Sequence, residues 1–341
     1  MRAFVIDQPG EYSIKEDITK PVPQNGELLL EIHKVGFCGS DLTTYCGLNP
    51  IVSYPRIPGH EIAAKIFDAG PNVPENYNKG DKVLALPYTT CGNCWSCVSN
   101  RPNACKNNQT LGVQQDGGMK EYLTISHEKA ITGINDLSLN DIALVEPLAV
   151  GFHAAKRGTP KEGDNMLIFG CGLVGLGAII GGAAMGANVT AVDIDEQKLI
   201  SARQFGAKYT INSSTQNLEE EVRKLTDGHG PAIVVEAIGL DATFVAAVDL
   251  VAFTGCVVYV GYVKNPVQYV TKIFVMKEIQ IMGSRNAVKQ DFDDVLKVMR
   301  SSNMPFEQLI TKEVPLTEAG SALEHWKNNK GKVSKILVSF D

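Results

Sequence analysis

The chain has 341 residues, of which 44% are hydrophobic and 21% charged, and its net charge is −6. This length predicts two domains that each bury a core of their own. The acidic balance, without clusters of Lys and Arg, argues against nucleic acid or an anionic membrane as the main partner. The apolar segment at the N-terminus is too short for a signal peptide and soon reaches an acidic residue, Asp7. No apolar run of about twenty residues occurs. We therefore expect a cytoplasmic protein, in which clustered thiols are more often metal ligands than disulfides.

The first 147 residues predict a strand-rich domain. Apolar runs at residues 27–33 and 62–67, separated by Pro and Gly turns, are typical of strands in a compact barrel. Cys38, His60 and Glu61 lie between these two runs. A thiolate, an imidazole and a carboxylate are a donor mixture that suits zinc and leaves positions for water or substrate. Each such residue alone is more often structural, so these segments alone leave both interpretations open.

A second group of cysteines has a stronger pattern. Cys91, Cys94 and Cys97 are separated by two-residue gaps, and Cys105 follows. Four thiols at this spacing can wrap one tetrahedral Zn²⁺ and leave no open position, which predicts a structural lobe at about residues 88–106. An iron–sulfur cluster, a disulfide pair or free thiols are the alternatives.

From about residue 140 the hydrophobic period changes. A helix is predicted over residues 140–156, followed by strands near 165–170, 189–193, 208–211, 232–236, 256–260 and 279–282 with helices between them. Six strands of this kind predict a doubly wound parallel sheet in the order 3-2-1-4-5-6, with a cofactor across the carboxyl ends of the strands. A helix near 291–301 and a strand near 335–339 complete the prediction.

The first of these strands ends in a glycine-rich turn. The pattern is Gly170-Cys-Gly172-Leu173-Val174-Gly175, and it opens a helix of small residues. Gly170 permits a tight turn, Gly172 lets backbone amides approach a pyrophosphate, and Gly175 lets the helix pack close to the strand. The whole segment predicts dinucleotide binding, although glycine-rich helix starts also arise for packing alone.

Further candidates for cofactor binding follow later strands. Asp193 ends the next apolar run, where a carboxylate would accept hydrogen bonds from the adenosine ribose and repel a 2′-phosphate, which predicts NAD rather than NADP. Ile238, Gly261 and Tyr262 fall just after the fourth and fifth strands and are candidates for lining the nicotinamide half. Ordinary turn chemistry explains these three residues equally well. Lys198 is a candidate for the adenosine ribose, with a solvated helix face as the alternative.

These motifs together resemble those of the zinc-dependent medium-chain dehydrogenases. Residues 36–41, 59–61, the four-thiol lobe, residues 116–118, 146–148 and the glycine turn lie in the order seen in that family. Within that family the chain most resembles the polyol and sugar-acid branch, which includes sorbitol, galactitol-phosphate and L-galactonate dehydrogenases. Residues 53–60, 112–118 and 282–286 are similar to the hexonate-type members in particular. The resemblance implies an α/β fold with a GroES-like β-barrel catalytic domain at 1–147, a Rossmann NAD-binding domain at 148–283 and a return to the first domain at 284–341. It also implies a homodimer or homotetramer.

The resemblance further implies roles for single residues. Cys38 and His60 correspond to ligands of a catalytic zinc, while Glu61 and Glu146 share the remaining position with water. Ser40 corresponds to the hydroxyl that takes the substrate proton; many relatives carry a histidine three residues later, where this chain has Thr43. Because Pro147 follows it, Glu146 can alternatively be a carboxylate at a helix start.

The substrate is the last implied feature. Arg285 corresponds to a substrate-contacting residue, with a buried ion pair as the alternative. The implied reaction is transfer of hydride from a secondary hydroxyl of a hexitol or hexonate to NAD, with one catalytic and one structural zinc. A threonine-type or simple alcohol dehydrogenase on the same scaffold and a non-enzymatic zinc and NAD redox sensor are the alternatives.

Overall fold

The computed structural model describes residues 1–340, which form fifteen strands and ten α-helices. In chain order the strands are β1 (Ala3–Gln8), β2 (Glu11–Lys15), β3 (Glu27–Gly36), β4 (Glu61–Ala69), β5 (Lys82–Ala85), β6 (Tyr122–Ser126), β7 (Ala130–Ile131), β8 (Asn165–Phe169), β9 (Asn188–Asp193), β10 (Tyr209–Asn212), β11 (Ile233–Glu236), β12 (Cys256–Tyr259), β13 (Gln280–Gly283), β14 (Lys312–Pro315) and β15 (Ile336–Ser339). The helices are α1 (Gly39–Tyr45), α2 (Trp95–Val98), α3 (Leu139–Arg157), α4 (Leu173–Ala184), α5 (Glu196–Gln204), α6 (Leu218–Leu225), α7 (Asp241–Leu250), α8 (Lys272–Lys277), α9 (Lys289–Ser301) and α10 (Ala319–Asn328). Within residues 1–340, no helix combines the length and the apolar character that a membrane crossing requires.

The chain divides into two compact units. The first comprises Met1–Glu146 together with residues 306–340, and the second comprises Pro147–Pro305. The sequence assigned residues 284–305 to the first domain, whereas here they belong to the second unit. Helix α9 accounts for the difference, because Asp291 lies 2.8 Å from His153 Nδ1 and 3.0 Å from Lys156 Nζ, both on α3.

Strand β3 organises the sheet of the first unit. The strand order is β14-β15-β3-β4-β5-β7, and β6 also pairs with β3. One edge of β3 carries β4, while the other carries β6 at residues 27–31 and β15 at residues 34–36. At its end, Gly36 is paired with Glu61 on one side and with Leu337 on the other. The predicted strands at 27–33 and 62–67 are confirmed, and their pairing brings distant segments to the end of β3.

The second unit is built on a six-stranded parallel sheet. Its order is β10-β9-β8-β11-β12-β13, which is 3-2-1-4-5-6 in chain order. Met166 to Phe169 in β8 and Val189 to Asp193 in β9 are buried, as expected of parallel strands covered on both faces. The predicted α/β class and the doubly wound parallel sheet are therefore confirmed.

Helices α3 and α4 of this unit approach each other at glycine. A Cβ built on Gly151 would lie 1.8 Å from Val174 O and 2.6 Å from Ala178 N, both fixed backbone atoms. A Cβ on Gly177 would lie 2.2 Å from Leu148 O. No side chain fits at either position without separating the helices.

The Gly151→Ala substitution is expected to lower the free energy of unfolding by about 2 kcal/mol, as is typical of overpacking against rigid backbone. Urea denaturation followed by circular dichroism measures the loss. Gly283→Ala in the same unit is the matched control, because a Cβ there meets nothing within 4 Å. Equal losses in the two variants would contradict the close approach of the helices.

Candidate active site

Three of the predicted metal ligands meet in the first unit. The donor atoms of Cys38, His60 and Glu61 all lie within 4.8 Å of one another. Cys38 caps the start of α1, and His60 directly precedes Glu61, the first residue of β4. Among the described residues, nothing forms a hydrogen bond with the buried His60 Nδ1. Sulfur, imidazole and carboxylate donors thus converge on one point, as a zinc ion requires.

Asp41 ties together the two segments that carry these donors. Its Oδ2 accepts a hydrogen bond from Cys38 N at 2.8 Å, and its Oδ1 accepts one from Gly59 N at 3.3 Å. Burial raises the pKa of this carboxyl, against the opposing charge of His60. The sequence analysis gave Asp41 no role, although an acidic residue three positions after a helix cap is a known signal for such a bond.

The carboxylate of Glu61 is bound by a lysine, Lys335, that sequence reasoning missed. Lys335 Nζ donates to Glu61 Oε1 at 2.6 Å and to Phe37 O at 2.8 Å, and both charged side chains are buried. Gly36 leaves the room that this carboxylate needs, since a Cβ there would lie 1.9 Å from Glu61 Oε2. Lys335 is 274 residues away along the chain, and no local pattern could have indicated it.

Glu146 lies close to this group but is not a member of it. Its Oε1 accepts a hydrogen bond from the Tyr88 hydroxyl. Glu146 is inside α3, which begins at Leu139, so the alternative that it is a carboxylate at a helix start is wrong. Burial raises its pKa, the charge of His60 opposes this, and the charge of Glu61 adds to it. Tyr88 is a second residue that sequence reasoning missed.

The electrostatics of the group favour a cation. Burial lowers the pKa of His60, but the Cys38 sulfur and the Glu146 carboxylate outweigh it, and this pKa lies well above its ordinary value. Anionic groups packed this closely in a buried site are costly unless a positive charge joins them. The donor set and its field therefore fit a divalent metal.

Ser40 lies in the first turn of α1, two residues after Cys38. Its Oγ is buried, and none of the described residues forms a hydrogen bond with it. Thr43, three residues further on, donates from its hydroxyl to Ser40 O at 2.9 Å. An unpaired hydroxyl beside a metal site is available to a ligand.

The four thiols of the lobe form a separate group in the same unit. Their sulfur atoms lie within 4.8 Å of one another, with Cys94 Sγ at 3.5 Å from Cys97 Sγ and 3.8 Å from Cys105 Sγ, and Cys105 Sγ at 3.6 Å from Cys91 Sγ. Zinc–sulfur bonds of about 2.3 Å imply an edge of about 3.8 Å in a tetrahedron, whereas a disulfide would require about 2.05 Å. The spacing fits one zinc ion with four sulfur ligands.

The environments of Cys94 and Cys97 shift their pKa values in opposite directions. The Ser96 hydroxyl and the backbone N–H groups of Lys106 and Cys97 lower the pKa of Cys94 to about 5. Burial and the adjacent Cys94 sulfur raise the pKa of Cys97 to about 11. Four neighbouring thiols cannot all ionise without a cation, and a bound metal meets that requirement.

The glycine turn of the second unit leads from β8 into α4. Gly170 has a φ of +92°, and a Cβ on Gly175 would lie 1.8 Å from Gly170 O, so both positions require glycine. A Cβ on Gly172, in contrast, would meet nothing within 4 Å. Gly172 is the helix cap, and Leu173 and Val174 are the first helical residues, whose N–H groups lack partners within the helix. This cradle fits a pyrophosphate.

Asp193 lies at the carboxyl end of β9, beside that turn. Its Oδ2 accepts a hydrogen bond from Cys171 N at 2.8 Å, and its Oδ1 accepts bonds from Ile194 N at 2.8 Å and Asp195 N at 3.1 Å. Burial and Asp193 raise the pKa of Cys171, and the charge of Lys198 on α5 opposes this rise. The carboxylate therefore orders the turn as well as being available to a ribose.

Turns after β11 and β12 pack on the same edge of the sheet. Ile238 contacts Gly170, since a Cβ on that glycine would lie 2.7 Å from Ile238 Cγ1. Tyr262 is 84% exposed, and its backbone oxygen would lie 2.7 Å from a Cβ on Gly239. A Cβ on Gly261 would lie 2.4 Å from Glu236 Oε2. The structure thus brings all three predicted nicotinamide-side residues to the edge that carries the glycine turn.

Glu236 supports these turns and was missed by sequence reasoning. It is fully buried at the end of β11, and its Oε1 accepts hydrogen bonds from Ile238 N at 2.9 Å and Gly239 N at 2.8 Å. The Thr243 hydroxyl donates to the same oxygen at 2.8 Å. Arg285 follows β13 in this unit, whereas both metal groups belong to the first unit.

Two family models match this chain, one in each unit. The family model described as "Alcohol dehydrogenase GroES-like domain" matches residues 24–136, and the one described as "Zinc-binding dehydrogenase" matches residues 174–301.

Similar proteins span the full chain. An L-galactonate-5-dehydrogenase of Escherichia coli K12 is 31% identical over 340 residues, covering 100% of this chain and 99% of its own length. A sorbitol dehydrogenase of Bacillus subtilis is 30% identical over 346 residues, covering 99% and 97%. The crystal structure of an Escherichia coli CFT073 enzyme described as a short chain alcohol dehydrogenase, complexed with NADH, has a TM-score of 0.91 at 27% identity and covers 100% of this chain and 99% of its own. The chain therefore belongs to the zinc-type medium-chain alcohol dehydrogenase family, whose cofactors are zinc and a nicotinamide dinucleotide, and it is an NAD-dependent oxidoreductase.

Proposed function

We propose that this enzyme oxidises a secondary hydroxyl of a polyol or sugar acid, a hexitol or a hexonate, to the ketone. The observation that carries the proposal is the group of Cys38, His60 and Glu61, which supplies three protein donors of the kind found at catalytic zinc sites. The names of full-length relatives, an L-galactonate dehydrogenase and a sorbitol dehydrogenase, support the substrate class.

Cys38 and His60 bind the catalytic metal, and Glu61 and Glu146 are the carboxylates available for its remaining protein position. When bound, zinc polarises the substrate hydroxyl as a Lewis acid, and NAD accepts the hydride. Cys91, Cys94, Cys97 and Cys105 hold a second, structural zinc.

Ser40 Oγ accepts a hydrogen bond from the substrate hydroxyl and is thereby placed to take up its proton. Its buried position two residues after Cys38 and its lack of a hydrogen bond to the described residues support this role.

The second unit binds NAD at the glycine turn. Backbone N–H groups at Gly172, Leu173 and Val174 bind the pyrophosphate, with Gly170 and Gly175 shaping the turn. Asp193 accepts hydrogen bonds from the adenosine ribose, assisted by Lys198. Ile238, Gly261 and Tyr262 line the nicotinamide side.

Arg285 contacts the substrate in this proposal. Its planar guanidinium suits a hexonate carboxylate, or two neighbouring hydroxyls of a hexitol, by paired hydrogen bonds.

We also infer that the enzyme is a homodimer or homotetramer. Strand β13 is at the edge of the parallel sheet, and Ile281 on it and Val275 and Met276 on α8 are exposed at 41%, 83% and 58%. An exposed edge strand with apolar neighbours is suited to pairing with its own copy about a two-fold axis. Light scattering of the purified protein gives the mass, and a monomer would refute this.

The substrate class is tested by NADH fluorescence against hexitols, hexonates, pentitols, their phosphates, threonine and simple primary alcohols. Hexitols or hexonates are expected to give the highest kcat/KM. Replacing Arg285 with Met is expected to raise KM for these substrates and to leave NAD binding unchanged. A preference for threonine or ethanol would refute the proposal. Absence of turnover with every compound, in protein with a full metal content, would favour a sensor.

Cys38→Ser is expected to lower kcat/KM by about 1000-fold, because the loss of metal polarisation removes several kcal/mol of transition-state stabilisation. The zinc content found by metal analysis is expected to fall from two ions per chain to one. The NAD affinity, measured by fluorescence titration, is expected to stay unchanged. Cys46→Ser, another thiol of the first unit outside both metal groups, is the control. Retained turnover in a Cys38→Ser protein that lacks the catalytic zinc would remove this mechanism.

Asp193→Asn is expected to raise the NADP-to-NAD ratio of kcat/KM by about tenfold or more, because it removes the negative charge that repels a 2′-phosphate. Asparagine keeps one acceptor oxygen for the backbone N–H groups of the turn. The control is Asp195→Asn, which removes a neighbouring charge while asparagine still caps α5. An unchanged ratio in Asp193→Asn would show that another residue selects the cofactor.

A further inference from the structure

The loop that carries Tyr88 is fixed on both sides of that residue. Leu86 N donates to Lys129 O at 2.8 Å, and Pro87 O accepts from Leu111 N at 3.0 Å. On the other side, Thr89 N donates to Asn108 Oδ1 at 3.2 Å, and the Thr89 hydroxyl accepts from Gln109 N at 2.6 Å. Tyr88 therefore has little freedom to move.

These anchors connect the loop to the thiol lobe. Asn108 lies three residues after Cys105, the fourth thiol of the lobe, and its N donates to Cys105 O at 3.2 Å. Tyr88 itself lies three residues before Cys91, the first thiol. The segments that enter and leave the lobe thus hold the loop of Tyr88 between them. A metal that closes the lobe fixes both segments.

The Tyr88 hydroxyl is aimed at the other metal group. It donates to Glu146 Oε1, and Glu146 is buried beside His60 and Glu61. This hydrogen bond uses one oxygen of the carboxylate and leaves Oε2 for another donor. Tyr88 therefore restrains the position of the Glu146 carboxylate.

The two carboxylates near Cys38 and His60 have different partners. Both oxygens of Glu61 accept hydrogen bonds from the buried ammonium of Lys335, at 2.6 and 2.5 Å, and a Glu61 oxygen lies within 4.8 Å of the thiol and imidazole donors. Glu146 is bound by a neutral phenol and is outside that group of three. Lys335 offsets the charge of Glu61, so a metal bound there meets a carboxylate that is already oriented.

We propose that Tyr88 is a positioning residue that binds Glu146 and keeps it out of the ligand set of the catalytic metal. Glu61 is then the third protein ligand, and Glu146 Oε2 is left to accept a hydrogen bond from a hydroxyl of the substrate. This rests on the proposed function only in placing the catalytic metal between Cys38 and His60. Without the phenol, Glu146 binds the metal and competes with substrate for its open position.

The test uses full-length protein carrying Co²⁺ in place of zinc, whose visible absorption reports the number and type of ligands. Tyr88→Phe removes the hydroxyl and keeps the ring. Its d–d absorption at the Cys38 site, taken as the difference from Cys38→Ser protein, is expected to shift as the Glu146 carboxylate replaces water. Tyr77→Phe is the control, because it removes a similar hydroxyl that donates to His127 O at 3.0 Å elsewhere in the first unit.

Kinetics supply the second readout. Tyr88→Phe is expected to raise KM for the alcohol about tenfold with little change in kcat, in line with the effect of residues that orient metal ligands. In a Glu146→Gln background, the same change is expected to have no further effect on KM. A rise in KM of equal size in both backgrounds, or a cobalt spectrum identical to that of Tyr77→Phe, would overturn the proposal.

If Tyr88→Phe does not fold, the single variants Glu146→Gln and Glu61→Gln still test which carboxylate binds the metal. Glu61→Gln is expected to change the cobalt spectrum, and Glu146→Gln is expected to leave it unchanged. The reverse pattern would show that Glu146 is the ligand. These spectra need no substrate, so they can contradict the role of Tyr88 without contradicting the hexitol or hexonate assignment.

Discussion

The crowding of Cys38, Glu61 and Glu146 around the buried His60 is the constraint on which the first unit depends. Cys38 follows β3, Glu61 begins β4 and Glu146 lies in α3, and ionised groups packed this closely are costly without partners. Lys335 offsets part of this charge, and Asp41 is satisfied by backbone N–H groups of the two segments that carry ligands. What is left is an imidazole and anionic donors that face one point, which is the requirement of a zinc ion.

The second unit uses carboxylates in a different way. Asp193 and Glu236 each end a strand of the parallel sheet, and their oxygens accept hydrogen bonds from the backbone of the turns beside them. These acids therefore order the turns, where glycine permits close approach of the backbone. Turns held in this way are preorganised, and preorganisation lowers the entropic cost of binding a ligand.

The two metal groups of the first unit differ in how they are assembled. The four thiols lie within fifteen consecutive residues, so local turns and a short helix bring them together. The second group needs the pairing of β3 with β4 and β15, which places Gly36 between Glu61 and the strand that follows Lys335. Tyr88 connects the two, since its loop is anchored beside the lobe while its hydroxyl holds Glu146.

The sequence by itself determined whatever depends on neighbours along the chain. The strand order of the parallel sheet follows from alternating strands and helices, and the thiol lobe from its two-residue gaps. Gly170 and Gly175 could be identified for the same reason, because the turn they shape is local. Only the tertiary structure decided that Glu146 lies inside α3, that α9 belongs to the second unit, and that Lys335 and Tyr88 hold the two carboxylates. Those partners are 274 and 58 residues from the carboxylates that they bind. Contacts of that separation arise from strand register and helix packing, which leave no periodic or spacing signal in the sequence.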